Sequence, residues 1–286
     1  MTDTLFDVLY DTYERLGELQ GGEATGGGVT TCESTNAKWK DLNNNIYLRG
    51  TIFLPDDSVF AEVTAFSANG TIATWTLGTL PGSLAVAATE EFHVAFPHYY
   101  LTDAIRSVNS VLRKLLVPME DQSLTTVAGQ TEYTVPIACK GAVKQVWIQQ
   151  SSTSGDYRFV PNTTWYIRQE GDAAGTETLV FRQEPDSGQT ILLGYMGRPA
   201  AVSVYNSSIN EYVPFDLLVQ MVVVHMLRRK YRQTHDEDVA DEMSEALTDL
   251  RNIKRVQKIP RLRKHARTLL GKRSIRSHKY GRWLIQ

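Results

Sequence analysis

Hydrophobic side chains recur at three- and four-residue steps near the start of the chain, from Leu5 to Leu19, with charged residues on the other faces. This period predicts an amphipathic helix over residues 4–20. Glycines cluster in residues 21–28, and glycine after a helical run is a common helix end. We therefore expect the helix to stop there and the chain to enter a different kind of structure.

Two long blocks then show the pattern of β-strands, with short runs rich in β-branched and aromatic residues. In the first block, 29–96, two such runs surround Asn69-Gly70, a strong signal for a β-hairpin. The second block spans 119–210, and turn-forming residues separate its runs. The pattern predicts two β modules.

Helical periods occupy the rest of the chain up to residue 257. They predict helices near 97–117, 213–233 and 236–257, and Pro97 and Pro214 stand at helix-start positions. Acidic residues cluster where the last helix begins, at the positive end of its dipole.

The order of these periods predicts an α+β fold with a four-helix core, two small β modules inserted in it and a basic extended C-terminal tail. Without such a core, the apolar face of a single helix such as 4–20 would have no partner. The predicted segments are an N-terminal helix with a glycine-rich link (1–28), a first β module (29–96), a core helix (97–118), a second β module (119–210), a C-terminal helical hairpin (211–257) and a basic docking tail (258–286).

Charge is strongly segregated along the chain. Residues 251–286 hold 13 Lys and Arg and no acid, whereas residues 1–250 hold the other 17 bases and all 32 acids, so a body of net charge −15 carries an end of +13. We interpret the tail as the one basic stretch of the protein. Such segregation predicts a fixed partner for the tail, namely an acidic protein surface, nucleic acid or both.

Apolar side chains interleave the tail's charges, which is not typical of a solvating extension. A segment that becomes ordered on a partner needs such anchors. The expected docking residues are Arg261, Arg263, Lys264, Arg267, Leu269, Leu270, Lys272, Arg273, Tyr280, Trp283 and Leu284.

Signals for catalysis or for a bound group are weak. The chain lacks a phosphate-binding loop with its lysine, a G-x-S-x-G turn and an H-E-x-x-H helix. Cys32 and Cys139 are far apart, which favours neither a disulfide framework nor a zinc site. We interpret His225 as a core residue of an apolar helix, and the acids of 236–245 as a capped, solvated helix face. The predictions are no enzymatic activity, no cofactor and no metal.

The N-terminus and the absence of an 18-residue apolar run argue against secretion and a membrane span.

The order of parts carries a resemblance. Its elements are the glycine- and threonine-rich entry (21–31), the runs 39–41, 48–52 and 62–66, the helix start 96–105 and the basic tail. In this order the chain resembles the head-to-tail connector proteins of tailed bacteriophages, also called adaptor, neck or gatekeeper proteins.

The resemblance implies a structural virion protein without enzymatic activity. It implies a ring, commonly of twelve copies, below the portal protein. Helices of the ring would line a channel crossed by double-stranded DNA, the C-terminal segment would dock on the portal, and other neck or tail proteins would follow. The charge division is compatible with this, because an anionic channel repels DNA while basic tails pair with an acidic surface.

Two other functions stay open at this point. The first is a cytoplasmic nucleic-acid-binding protein whose tail binds phosphates. The second is a phage tail β protein that binds a host glycan, suggested by Trp39, Trp75, Trp147 and Trp165. We interpret these tryptophans as core residues of the β blocks.

Overall fold

A computed structural model describes residues 3–40, 42–43, 45–69, 72–78, 80, 84–151, 155–170 and 176–257. The chain forms two compact units, the first from Met1–Leu115 with Pro199–Lys258 and the second from Leu116–Arg198. The first unit contains α1 (Leu5–Arg15), β1 (Leu19–Glu23), β2 (Gly26–Gly28), β3 (Thr31–Ser34), α2 (Ala37–Lys40), β4 (Thr51–Leu54), β5 (Val59–Asn69), β6 (Ile72–Leu77), β7 (Glu91–Ala95), α3 (Leu101–Leu112), α4 (Phe215–Thr234) and α5 (Glu237–Val256). The second contains β8 (Val117–Thr125), β9 (Glu132–Thr134), a 3₁₀ turn (Ile137–Cys139), β10 (Val143–Gln149), β11 (Tyr157–Phe159), β12 (Trp165–Glu170), β13 (Thr176–Phe181) and β14 (Thr190–Gly197).

The seven strands of the first unit form an antiparallel sheet that closes on itself. Its order is β1-β7-β4-β5-β6-β3-β2, and β1 and β2 are successive halves of one extended segment. Between these halves, the Ala24 amide donates to the Glu90 carbonyl on one side and the Thr25 amide donates to the Glu33 carbonyl on the other. The two ends of the strand order are therefore covalently continuous, and the described strands make a small barrel.

Close packing explains two of the glycines in 21–28, Gly22 and Gly27. A Cβ on Gly22 would lie 2.8 Å from the Phe92 ring, and a Cβ on Gly27 would lie 2.5 Å from the Thr31 carbonyl oxygen. These glycines lie in β1 and β2. The helix predicted over 4–20 is present as α1, but the prediction that it extends to these glycines is wrong. Helix α1 ends at Arg15 because Gly17 takes φ +67°, and the Glu18 amide donates back to the Tyr13 carbonyl.

Aromatic side chains fill the barrel. Trp75 is fully buried, and its ring centroid lies 4.9 Å from that of Phe92, 5.2 Å from that of Trp39 and 5.3 Å from that of Phe66. Edge-to-face and tilted ring pairs of this kind stabilise a core beyond the area they bury.

Helix α4 lies at the centre of the helical layer of the same unit. It packs against α1, α3 and α5, and most of its side chains from Leu217 to Leu227 are buried. Helix α1 also contacts the barrel, because Phe6, Tyr10 and Tyr13 pack around Phe53 of β4.

The second unit is a β-sandwich. One sheet has the order β11-β10-β14-β8 and the other β12-β13-β9, all antiparallel. Residues of both sheets share one apolar core, including Val146, Leu193, Leu179 and Phe181.

The predicted fold class is wrong in its four-helix core and its two small inserted β modules, while the predicted basic extended tail lies outside the described residues. The described chain has three antiparallel sheets and 14 strands, with four longer helices. The physical reason is that each β unit buries its own core, so neither depends on the helices for a hydrophobic centre. Three local predictions are confirmed: the hairpin around residue 70 as β5 and β6, and the two C-terminal helices as α4 and α5.

Candidate interaction surfaces on the helical hairpin

All eleven predicted docking residues of the tail, Arg261 to Leu284, lie outside the described residues. The last described residue is Gln257, directly after α5. The residues that hold this end of α5 therefore define where the tail begins.

A polar cluster joins three helices at the base of the tail. The Gln257 Nε2 donates to Asp216 Oδ2 at 3.0 Å, and Arg15 Nη2 forms an ion pair with Asp216 Oδ1 at 2.8 Å. Asp216 thus links the end of α5 and the end of α1 to the start of α4. This arrangement holds the C-terminal end of α5 in place.

Gln220 extends the cluster into the interior. Its side chain is buried, its Oε1 accepts from Arg15 Nη1 at 3.1 Å, and its Nε2 donates to the Ala246 carbonyl of α5 at 3.0 Å. A buried amide with both ends bonded fixes the register between two helices. Sequence reasoning missed Gln220, although an amide inside the apolar run of α4 was the visible signal.

A row of basic side chains follows one face of the C-terminal half of α4. The helical spacing i, i+3, i+4 and i+7 places four residues on this face: His225, Arg228, Arg229 and Arg232. Lys114, which follows α3, lies close to His225. We call these five residues the basic stripe. Burial, followed by the charges of Lys114 and the three arginines, lowers the pKa of His225.

Most of the positive charge in this stripe has no counterion. Arg229 pairs with Asp103 at 2.9 Å. Lys114, Arg228 and Arg232 are exposed, and no ion pair to them occurs among the residues that the structure describes. The expectation that the tail is the one basic stretch is therefore wrong, because the folded chain also presents the basic stripe. The stripe is short in sequence and acquires Lys114 only through folding.

The outer face of α5 has the opposite charge. Its inner face buries Val239, Ala246 and Leu250 against the hairpin. We call its exposed acids the acidic face, which consists of Asp238, Asp241, Glu242, Glu245 and Asp249. Within the described chain none of them forms an ion pair. Asp236 caps the helix as predicted, because its Oδ1 accepts from the Asp238 amide at 3.0 Å.

No catalytic arrangement accompanies these surfaces in the part of the chain that the structure covers. Both cysteines are buried and free, and burial raises the pKa of each thiol to about 12. No cluster of three or more metal-ligating side chains occurs among the described residues. A shallow depression of about 470 Å³ beside Asp56, Asp57 and Glu90 is open to solvent.

Two further observations concern the glycan-binding alternative and the question of a membrane span. Trp39, Trp75, Trp147 and Trp165 are all at most 7% exposed, so they fill β cores and offer no surface for a sugar ring. None of the helices described has both the length and the apolar character required to cross a bilayer. The described surface therefore offers charged helix faces for binding other macromolecules, and no assembled chemistry.

A comparison with known protein families agrees with a protein that binds other macromolecules. Residues 71–268 match the SU10 adaptor protein family, a range that includes the whole second unit, α3 to α5 and the start of the tail. The match covers more than half of the chain, and the chain belongs to this family. No curated protein matches it. The protein is therefore a phage structural adaptor, a virion component that interacts with other head or tail proteins, as the resemblance implied.

Proposed function

We propose that this adaptor forms a closed ring below the portal protein, joins the DNA-filled head to the tail, and surrounds the channel through which double-stranded DNA passes. The observation that carries the proposal is family membership together with the charge division, −15 in residues 1–250 and +13 in residues 251–286. The ring acts as a connector and performs no reaction. Other neck or tail proteins bind its far side.

The charge division suits the two contacts of such a ring. A net anionic body repels the DNA backbone, so DNA slides past it without being held. A cationic tail pairs with an acidic surface on the portal, and such complementarity directs docking and its orientation.

Charge alone does not hold the tail in place. Fixing the backbone of the 29 residues from 258 to 286 costs tens of kcal/mol, at about 1–2 kcal/mol per residue, while an exposed ion pair contributes about 0–1 kcal/mol. Apolar anchors such as Trp283 and Leu284 supply the rest by entering a groove on the portal. The polar cluster of Arg15, Asp216 and Gln257 gives the tail a fixed starting point.

Deletion of residues 258–286 tests the docking role. The described body holds its own cores, so the truncated chain keeps the unfolding transition of the full chain but no longer attaches to DNA-filled heads. In the full chain, Trp283→Ala weakens attachment more than Lys264→Ala, because the tryptophan is a buried anchor and the lysine an exposed charge. A truncated chain that joined heads normally would contradict the docking role.

Titration with duplex DNA separates this function from a nucleic-acid-binding one. We expect weak binding that falls steeply between low and physiological salt. Sequence-specific binding that persists at physiological salt would instead support the nucleic-acid-binding alternative.

A further inference from the structure

The basic stripe carries charge that the described protomer does not neutralise. Arg228 and Arg232 of α4, together with Lys114 after α3, are exposed cations around the half-buried His225. Like charges gathered on one rigid face repel each other, which costs stability unless a partner of opposite charge covers them. The partner is therefore expected to present a rigid row of anions.

The acidic face of α5 has the matching properties. Its acids recur at three- and four-residue steps from Asp238 to Asp249, about 16 Å along the helix axis, while the stripe from His225 to Arg232 covers about 10 Å. Both rows lie on helices whose relative position Gln220 fixes by its bond to the Ala246 carbonyl. Each protomer thus presents two rigid rows of opposite charge, without an ion pair between them in the described chain.

A ring of identical copies requires two different complementary patches on each protomer, because each copy contacts its two neighbours through opposite sides. We propose that the basic stripe of one copy binds the acidic face of α5 of the next copy. This inference rests on the proposed ring and assigns its interface. It leaves the tail and its apolar anchors available for the portal.

Cross-linking in phage particles tests the pairing of faces. Particles are assembled from a mixture of two full-length chains, one carrying Arg228→Cys and the other Glu245→Cys, and treated with a short bismaleimide. Cys32 and Cys139 are buried with high thiol pKa values, so the background is low. Cross-linked dimers should contain one chain of each kind, and particles with either chain alone should give monomers. Dimers between two Arg228→Cys chains, or no mixed dimers, would overturn the inference.

Charge reversal provides the second measurement, since it does not depend on a cross-linker's reach. Arg228→Glu with Arg232→Glu, or Asp241→Lys with Glu245→Lys, should each reduce the copies retained per particle by roughly tenfold, because like charges then face each other. All four substitutions in one chain should restore the copy number. The matched controls are Arg158→Glu with Arg182→Glu and Asp56→Lys with Asp57→Lys. They make the same changes in net charge at exposed positions that belong to neither row, and they should leave the copy number unchanged.

Other occupants give different results. If the acidic face binds a neighbour's tail, Asp241→Lys with Glu245→Lys still lowers the copy number, but adding Arg228→Glu with Arg232→Glu does not restore it. If the stripe binds DNA, Arg228→Glu with Arg232→Glu lowers DNA retention and no variant of α5 compensates. Either result would overturn the inference. If the ring keeps its normal copy number in all of these variants, the proposed interface is refuted and the proposed function stands. A single copy per particle would refute both.

Discussion

The barrel of the first unit and the sandwich of the second bury their β-sheets in different ways. The barrel joins its first and last strands through Ala24 and Thr25, so its described sheet closes. The sandwich ends in edge strands, β11 and β8 in one sheet and β12 and β9 in the other. Both cores mix aromatic and aliphatic side chains, and in the barrel the rings of Trp39, Tyr47, Phe66, Trp75 and Phe92 form one connected network.

This difference predicts where each unit tolerates change. A closed sheet has no free strand to shift, so a misfit in its wall must be absorbed by the core. A sandwich can relax at its edges. Edge strands also expose unpaired backbone groups, which makes the sandwich the unit better suited for adding a partner's strand.

The largest expected effect is the loss of the central ring of the barrel. Trp75→Ala removes contacts with Trp39, Phe66 and Phe92 and should lower the free energy of unfolding by about 3–5 kcal/mol. Trp147→Ala is the comparison in the sandwich and should cost less, because Trp147 keeps 6% of its surface exposed whereas Trp75 keeps none. Urea unfolding of the full chain followed by circular dichroism gives both values. An equal or larger loss for Trp147→Ala would break the comparison.

The next effect concerns closure of the barrel. A Cβ at Gly27 meets the Thr31 carbonyl at 2.5 Å and the Val86 Cβ at 2.9 Å, so Gly27→Ala should destabilise by about 1–3 kcal/mol through overpacking. Gly28→Ala is the matched control, because a Cβ at Gly28 would lie 3.5 Å from the Thr31 hydroxyl oxygen, an ordinary van der Waals contact. Denaturation midpoints of the two variants should differ clearly, and coinciding midpoints would mean that the segment moves without cost.

Thiol labelling compares the opening of the two units directly. Cys32 lies in the barrel core and Cys139 in the sandwich core, and burial raises both pKa values to about 12. Neither should react with a thiol reagent at neutral pH. In Trp75→Ala, Cys32 should become reactive at lower urea concentration than Cys139. Simultaneous labelling of both would show that the units open together.

The smallest effect is a difference in pH dependence. Burial raises the pKa of Glu90 beside the barrel, so its ionised form costs stability at neutral pH, and that cost disappears as the pH falls below the unfolded value. Arg168 lowers the pKa of Glu132 in the sandwich, so the stability from this pair is present above the unfolded pKa and lost as the pH falls through the folded pKa. Glu90→Gln should therefore raise stability slightly at pH 7, and Glu132→Gln should lower it slightly. Shifts of the same sign would contradict the assigned causes.

The sequence predicted the features that depend on local period. Helices α4 and α5, the Asp236 cap and the β5–β6 hairpin all follow from spacing within a few residues. Closure of the barrel could not be predicted this way, because it depends on pairing of β1 with β7 and of β3 with β6, strands that are far apart in the chain. The glycines of 21–28 were interpreted as helix breakers, since their real cause, the ring of Phe92 and the carbonyl of Thr31, is visible only after folding.

The candidate surfaces were predictable in part. The acids of α5 were visible but were interpreted as a solvated face, and the basic stripe was divided between α4 and the distant Lys114. Gln220 was the signal most easily recognised in retrospect, because a buried amide in an apolar helix requires partners. The docking residues of the tail stay a prediction.

Electron cryo-microscopy of the neck of the phage particle tests the central claim most directly. The account predicts a symmetric ring of this chain between head and tail, in which α4 of each copy faces α5 of the next and residues 258–286 extend onto the portal. A chain present as a single copy, or found away from the junction of head and tail, would contradict the claim.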